Sequence, residues 1–131
     1  MTTFAEQGRI DAMKTANLWV FVNWEPSTVG ALKASKAYRL WEKSITNPKS
    51  LTRDEKDWIV DQFMSSTYST SGNCIALGGW MMRFPTAKKY LVQDAYNRRN
   101  FRVYYAFDKT SLRNRLGREA GTILEYPEKS K

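Results

Sequence analysis

KYLVQDAYNRRNFRVYYAF, residues 89–107, is the stretch that decides the fold. Its two ends, Lys89 to Gln93 and Phe101 to Phe107, are rich in β-branched and aromatic residues, which fit a pleated, half-buried surface. Asp94 to Asn100 between them is polar and turn-forming. In the second run Phe101, Val103, Tyr105 and Phe107 alternate with Arg102, Tyr104 and Ala106, the period of a strand with one mainly apolar face. Two joined strands are predicted, with Phe101, Tyr105 and Phe107 in the core.

Working outward toward the carboxy terminus, Asp108 caps a short helix that runs through Leu116, and Gly117 closes it in a left-handed conformation. Gly121 to Tyr126 is a last strand, and the tail from Pro127 is expected to fray. Toward the amino terminus, CIALGGWMMRF (Cys74 to Phe84) reads as one buried strand, with Gly78-Gly79 marking a bulge or a close backbone approach. Pro85 ends it. The earlier half has a different character. A helix is predicted over 3–18, then a strand in LWVFVN (Leu18 to Asn23) that Trp24-Glu25-Pro26 terminates. A second helix starts at Ser27 or Thr28 and stops at Asn47-Pro48, with Val29, Leu32, Leu40, Trp41, Ser44 and Ile45 along one face. Thr52 to Glu55 is a capping box that opens a third helix burying Trp58, Ile59 and Phe63. Ser65 to Asn73 is a loop. Helices first and strands afterwards predict an α+β fold: N-terminal helices packed on a C-terminal antiparallel sheet with one short helix, in a single domain over 1–131.

Charge follows the same division. Cys74 to Lys131 holds 12 Lys+Arg against 5 Asp+Glu, whereas Met1 to Asn73 holds 9 against 8, so nearly all of the net +8 lies in the later half. Nine aromatics are interleaved with those cations. Cations meet phosphate and flat rings meet bases, so this composition points to a ligand carrying both. The lone Cys74 rules out an intrachain disulfide and, with no histidine in the chain, any Cys/His metal site. The missing histidine also removes the commonest general base near neutral pH and the Ser-His-Asp and Cys-His arrangements. A carboxylate or lysine enzyme stays open as an alternative, and the expectation is a non-enzyme with no metal or cofactor. No apolar run reaches the roughly 20 residues of a spanning helix, and the polar start MTTFAEQGRIDAMK does not resemble a secretory signal, so a cytoplasmic protein with no membrane partner is expected.

Phosphate-loop and dinucleotide-binding patterns are absent. Asp54, Glu55, Asp57 and Asp61 read as a solvated helix face rather than an acid/base pair. The most suggestive segment is DKTSLRNRLGR, Asp108 to Arg118. A helix puts Lys109 and Arg113 on one face and Thr110 in its first turn, where free N–H groups attract anions. Arg113 can hold a phosphate in bidentate fashion. The same segment is also readable as a surface helix with solubilising basic residues, and the two readings stand side by side. Phe84 beside Arg83, and Tyr104 out of phase with the apolar face, are the candidate exposed rings. Trp19, Trp24, Trp41, Trp58 and Cys74 are assigned to the core.

The run RFPTAKKYLVQDAY…FRVYYAFDKTSLRNRL, Arg83 to Leu116, resembles the carboxy-terminal region of the phage anti-Thoeris sponge proteins. It covers about a quarter of the chain. Those proteins sequester cyclic ADP-ribose-type immune signals, and some hold cyclic oligonucleotides at other sites. The resemblance implies a ring stacking on a base and basic side chains four apart on phosphate. Lys109 and Arg113 match that spacing, with the guanidinium fork lost at Lys109, and Phe84 is the candidate ring. It further implies a homo-oligomer with ligands at subunit boundaries, acting in the cytoplasm of an infected bacterial host. The expected ligand-binding set is Arg83, Phe84, Tyr104, Lys109, Thr110 and Arg113, and the expected function is capture of a small cyclic nucleotide that blocks anti-phage defence. Two alternatives share the basic surface: a DNA- or RNA-binding protein, and an inhibitor that binds another protein.

Overall fold

The structure, a computed structural model, describes residues 3–20, 26–65 and 72–126. Its elements in chain order are α1 (Phe4–Ala16), β1 (Leu18–Val20), α2 (Val29–Lys33), α3 (Lys36–Thr46), α4 (Arg53–Ser65), β2 (Cys74–Leu77), β3 (Trp80–Arg83), β4 (Lys88–Asp94), β5 (Phe101–Ala106), α5 (Lys109–Leu116) and β6 (Ala120–Glu125). The class is α+β, with helices leading and antiparallel strands following. The strands form two three-stranded sheets, ordered β1-β3-β2 and β5-β4-β6, where one sheet was expected.

The division follows from Gly78-Gly79. These glycines have φ of 55° and 90° and form the two-residue turn of a hairpin in which Leu77 pairs with Trp80. Positive φ at both central residues matches the right-handed strand twist and favours glycine. The expected single strand over 74–84 is therefore two strands. A side chain at Gly78 would also strike the Ser27 side chain, which occupies the space a Cβ would take. Trp80 Nε1 donates to the Ser27 carbonyl at 2.8 Å and ties the same turn to the start of α2.

The second predicted helix is also divided. Ser35 leaves helical geometry and its hydroxyl accepts from Tyr38 N–H, capping α3 and separating it from α2. The capping box of α4 forms as read: Thr52 Oγ1 accepts from Glu55 N–H and Glu55 Oε1 accepts from Thr52 N–H. Of the predicted strand over 18–23 only 18–20 is described. The tail from Pro127, most of the loop before Asn73, and Trp24 lie outside the described residues.

Two apolar clusters hold the molecule. One joins α2, α3 and α4 to the first sheet through Leu32, Trp41, Ile59, Phe63, Met82 and Phe84. The other packs α4 and α5 on the second sheet through Val60, Leu112, Tyr90, Val92, Ala106 and Ile123. α4 contributes to both, Ile59 and Phe63 to one and Val60 to the other, because residues four apart share a helix face whereas the next residue along is turned by about 100°. Trp41 is fully buried, as expected, and its Nε1 donates to the Arg83 carbonyl at 2.7 Å. Trp58 is half-buried beneath Lys36, while Trp19 is exposed. Cys74 is buried in β2, as expected.

The second sheet corrects one reading. Register pairs Tyr90 with Tyr104 and Lys88 with Ala106, and this is the face that α4 and α5 cover. Phe101 and Val103 project from the opposite face and stay open to solvent; only Tyr105 and Phe107 reach the margin of the first core.

Candidate functional site

α5 is built into the fold from both ends. At its start Asp108 accepts from Ser111 N–H at 3.1 Å. The carboxylate also receives a fork from Arg53, 2.9 and 2.6 Å, and Lys56 Nζ at 3.3 Å. The Arg53 fork, outweighing partial burial, holds the Asp108 carboxyl well below the usual carboxylate range. Ser111 is fully buried and donates to Asp57 at 2.6 Å, while Asn114 donates to the other Asp57 oxygen at 3.1 Å. Burial pushes Asp57 up, but its bonds from Ser111, Asn114 and Arg53 outweigh this and keep it below its ordinary value. One turn on, Arg115 pairs with Asp61 at 2.9 Å. Asp57 and Asp61 are thus the docking edge of α4, not a solvated face.

At the other end Arg113 donates from both terminal nitrogens to the carbonyls of Ala120 and Gly121, each at 2.6 Å. The fork that was expected to hold a phosphate is spent on the first residues of β6. Lys109 and Thr110 are exposed and, with Arg113 and Ile123, line an open depression of about 250 Å³.

The remaining expected residues lie elsewhere. Arg83 ends β3, and its Nε donates to the buried Asn17 at 2.7 Å. Phe84 is 0% exposed, with its ring edge-on to Phe63 and Phe107. It is a core residue rather than an exposed ring: Pro85 follows it directly, and Phe84 N–H is held by the Asn73 carbonyl at 2.9 Å, so the chain turns with the ring inward. The six expected residues therefore occupy three places: Arg83 and Phe84 at the first core, Tyr104 on the second sheet, and Lys109, Thr110 and Arg113 on α5.

Tyr104 lies at the junction of two hollows. One, about 400 Å³, is lined by Phe63, Met64, Gly72, Arg102, Val103, Tyr104, Tyr105, Arg115 and Leu116. The other, about 250 Å³, adds Gln93, Asp94, Tyr96 and Glu119 around the same Arg102, Tyr104 and Leu116. Together they make a trough between β5 and the carboxy-terminal end of α5. Arg102 is exposed in it and has no hydrogen-bond or ion-pair partner among the described residues. Asp94 is occupied, accepting the N–H groups of Tyr96 and Asn97 at 2.7 and 3.1 Å. Arg102, Tyr105 and Arg115 are trough residues absent from the expected set. The period of two in FRVYYAF already put Arg102 beside Tyr104 on one face, and that was the available signal.

Among the described residues no group of three or more His, Cys, Asp or Glu is placed to hold a metal ion. No helix among them is long and apolar enough to cross a membrane. No protein family, curated protein or solved structure matches this chain.

Proposed function

We propose that this protein is a non-enzymatic binder that captures a small cyclic nucleotide of the cyclic ADP-ribose type in the Arg102–Tyr104 trough, and so blunts anti-phage defence. The observation that carries the proposal is an unpartnered guanidinium beside a half-buried tyrosine in a hollow of about 400 Å³. Small-ligand pockets commonly measure about 300–1,000 Å³. A free guanidinium offers a planar fork to phosphate oxygens, and the ring offers a face to a base. Arg115 adds a second cation at the rim, shared with Asp61. The ligand is held without turnover, as a capture protein requires.

The experiment is calorimetry with cyclic ADP-ribose as the probe, followed by recovery of the nucleotide. Wild type is expected to bind stoichiometrically and return the nucleotide intact. Arg102→Ala should weaken binding at least tenfold, since a charged hydrogen bond contributes about 1.5–3 kcal/mol. Lys109→Ala should leave affinity unchanged. Absence of heat with wild type, or an affinity indifferent to Arg102, overturns the proposal.

A further inference from the structure

The face of the second sheet turned away from α4 and α5 is open. Val103, Leu91 and Leu124 lie in one row across its three strands, with Phe101 toward one end and Lys89 and Tyr126 toward the other. Phe101, Val103, Leu124 and Tyr126 are 45, 44, 48 and 39% exposed. Each of the two outlying rings has cations next to it. Lys89 Nζ stands 4.2 Å from the centre of the Tyr126 ring. Phe101 directly follows the β4–β5 turn, where Arg98 and Arg99 are exposed and have no side-chain partner among the described residues. That turn is internally braced: Asp94 accepts from the N–H groups of Tyr96 and Asn97, Asn97 Oδ1 accepts from Arg99 N–H, and the Asn97 carbonyl accepts from Asn100 N–H. From Lys89 to Gln93, the partner of Phe101, is four residues, about 13 Å at the rise of a strand.

We infer that this outer face, together with the Arg98-Arg99 turn, binds a single-stranded nucleic acid, with Phe101 and Tyr126 as stacking rings and Arg98, Arg99 and Lys89 on phosphates. Charge chooses the occupant. The outer-face positions, Lys89, Leu91, Gln93, Phe101, Val103, Leu124 and Tyr126, include no carboxylate, so a second copy docking through this same face would set like charge against like. A polyanion meets every cation favourably. The spacing excludes a lone phosphate, which cannot touch both ends of a face about 13 Å long. A single strand is favoured over a duplex because its unstacked bases present the flat faces that exposed rings accept, whereas duplex bases are stacked on one another. The inference does not rest on the trough: the two share Val103 at the edge of β5, but none of the rings and cations assigned here lines it.

The test is fluorescence anisotropy with labelled 16-nucleotide dT and rU strands and a 16-base-pair duplex, from 50 to 200 mM salt. Wild type is expected to bind the strands more tightly than the duplex, with affinity falling as salt rises. Arg98→Ala/Arg99→Ala should make the slope of log K against log salt shallower by about 1.4, two phosphates at about 0.7 each for a single strand. Phe101→Ala should weaken binding between about 5- and 160-fold, the range of one base–ring stack at about 1–3 kcal/mol. Cyclic ADP-ribose binding in the trough should stay unchanged in both variants, so failure here and failure of the trough assignment are distinguishable. No strand binding at 50 mM salt overturns the inference, as does duplex binding equal to strand binding with Phe101→Ala silent. Sedimentation showing a dimer that Leu124→Glu dissociates, with strand binding unaffected by Phe101→Ala, overturns it in favour of a second copy.

Discussion

Replacing Arg113 by alanine separates its two assignments, phosphate holder and strand clamp. Its terminal nitrogens reach the Ala120 and Gly121 carbonyls at 2.6 Å each. Truncation exposes the Gly121 carbonyl to water, which replaces the lost donor at little cost. The Ala120 bond is partly buried and its residue is buried, so that carbonyl loses a partner that solvent replaces poorly. A partner lost in such a place costs about 1–1.5 kcal/mol, and the lost packing of the aliphatic stem a few tenths more. Arg113→Ala should therefore destabilise the protein by about 1.5–2 kcal/mol, a substantial part of a total of about 5–15 kcal/mol. With a urea dependence of about 1.5–2 kcal/mol per molar, the unfolding midpoint falls by about 1 M. Arg113→Lys, with one nitrogen for two carbonyls, should lose about half as much. Urea unfolding followed by tryptophan fluorescence makes the measurement, with cyclic ADP-ribose calorimetry on the same variant. A midpoint that does not move, combined with a tenfold loss of nucleotide affinity, would refute the clamp and return the guanidinium to a ligand.

Two further outcomes follow from the same geometry. Phe84→Ala empties a fully enclosed ring site between Phe63 and Phe107, and should cost about 3–5 kcal/mol in urea unfolding; a loss below about 1 kcal/mol would mean the ring is not a core element. Asp108 has its folded-state pKa depressed, so the unfolded chain, protonating near about 3.9, takes up more protons as pH falls. The stabilisation is complete above about pH 5 and is lost as pH drops through about 4 toward the folded value. Asp108→Asn should lower Tm at neutral pH and flatten its decline below about pH 5, with Asp57 and Glu55 supplying the slope that remains; an unaltered slope would show that the Arg53–Asp108 pair contributes nothing.

Two helix starts are legible from their own neighbourhoods, while the Ser35 cap of α3, equally local, is not anticipated by the pattern of apolar residues. The Thr52–Glu55 capping box and the Asp108 cap are each set within three residues of chain, whereas Gly117 ends α5 with the expected positive φ, 58°, but with ψ of −130°, outside the left-handed helical region. Gly78-Gly79 marks a bulge or a close backbone approach in the sequence, but its role as a turn depends on Leu77 meeting Trp80. The Asp57/Asp61 edge was misread because its partners Ser111, Asn114 and Arg115 are 54 or more positions away. Phe84 was misplaced for a related reason: a phenylalanine after an exposed arginine carries no local mark of which way the chain turns.

FRVYYAF shows where the boundary lies. Alternation alone established that it is a strand with two unlike faces, because successive side chains of extended backbone point to opposite sides. Composition established that the later half is cationic and aromatic and that the chain has no histidine. Which face the helices cover was settled only by packing: α4 and α5 close over Ala106, cover Tyr104 in part, and leave Phe101 and Val103 open. The same holds for the cations. Their number is a property of the chain, but Arg113 is consumed by carbonyls and Arg102 left unpartnered through contacts that form only when distant segments meet.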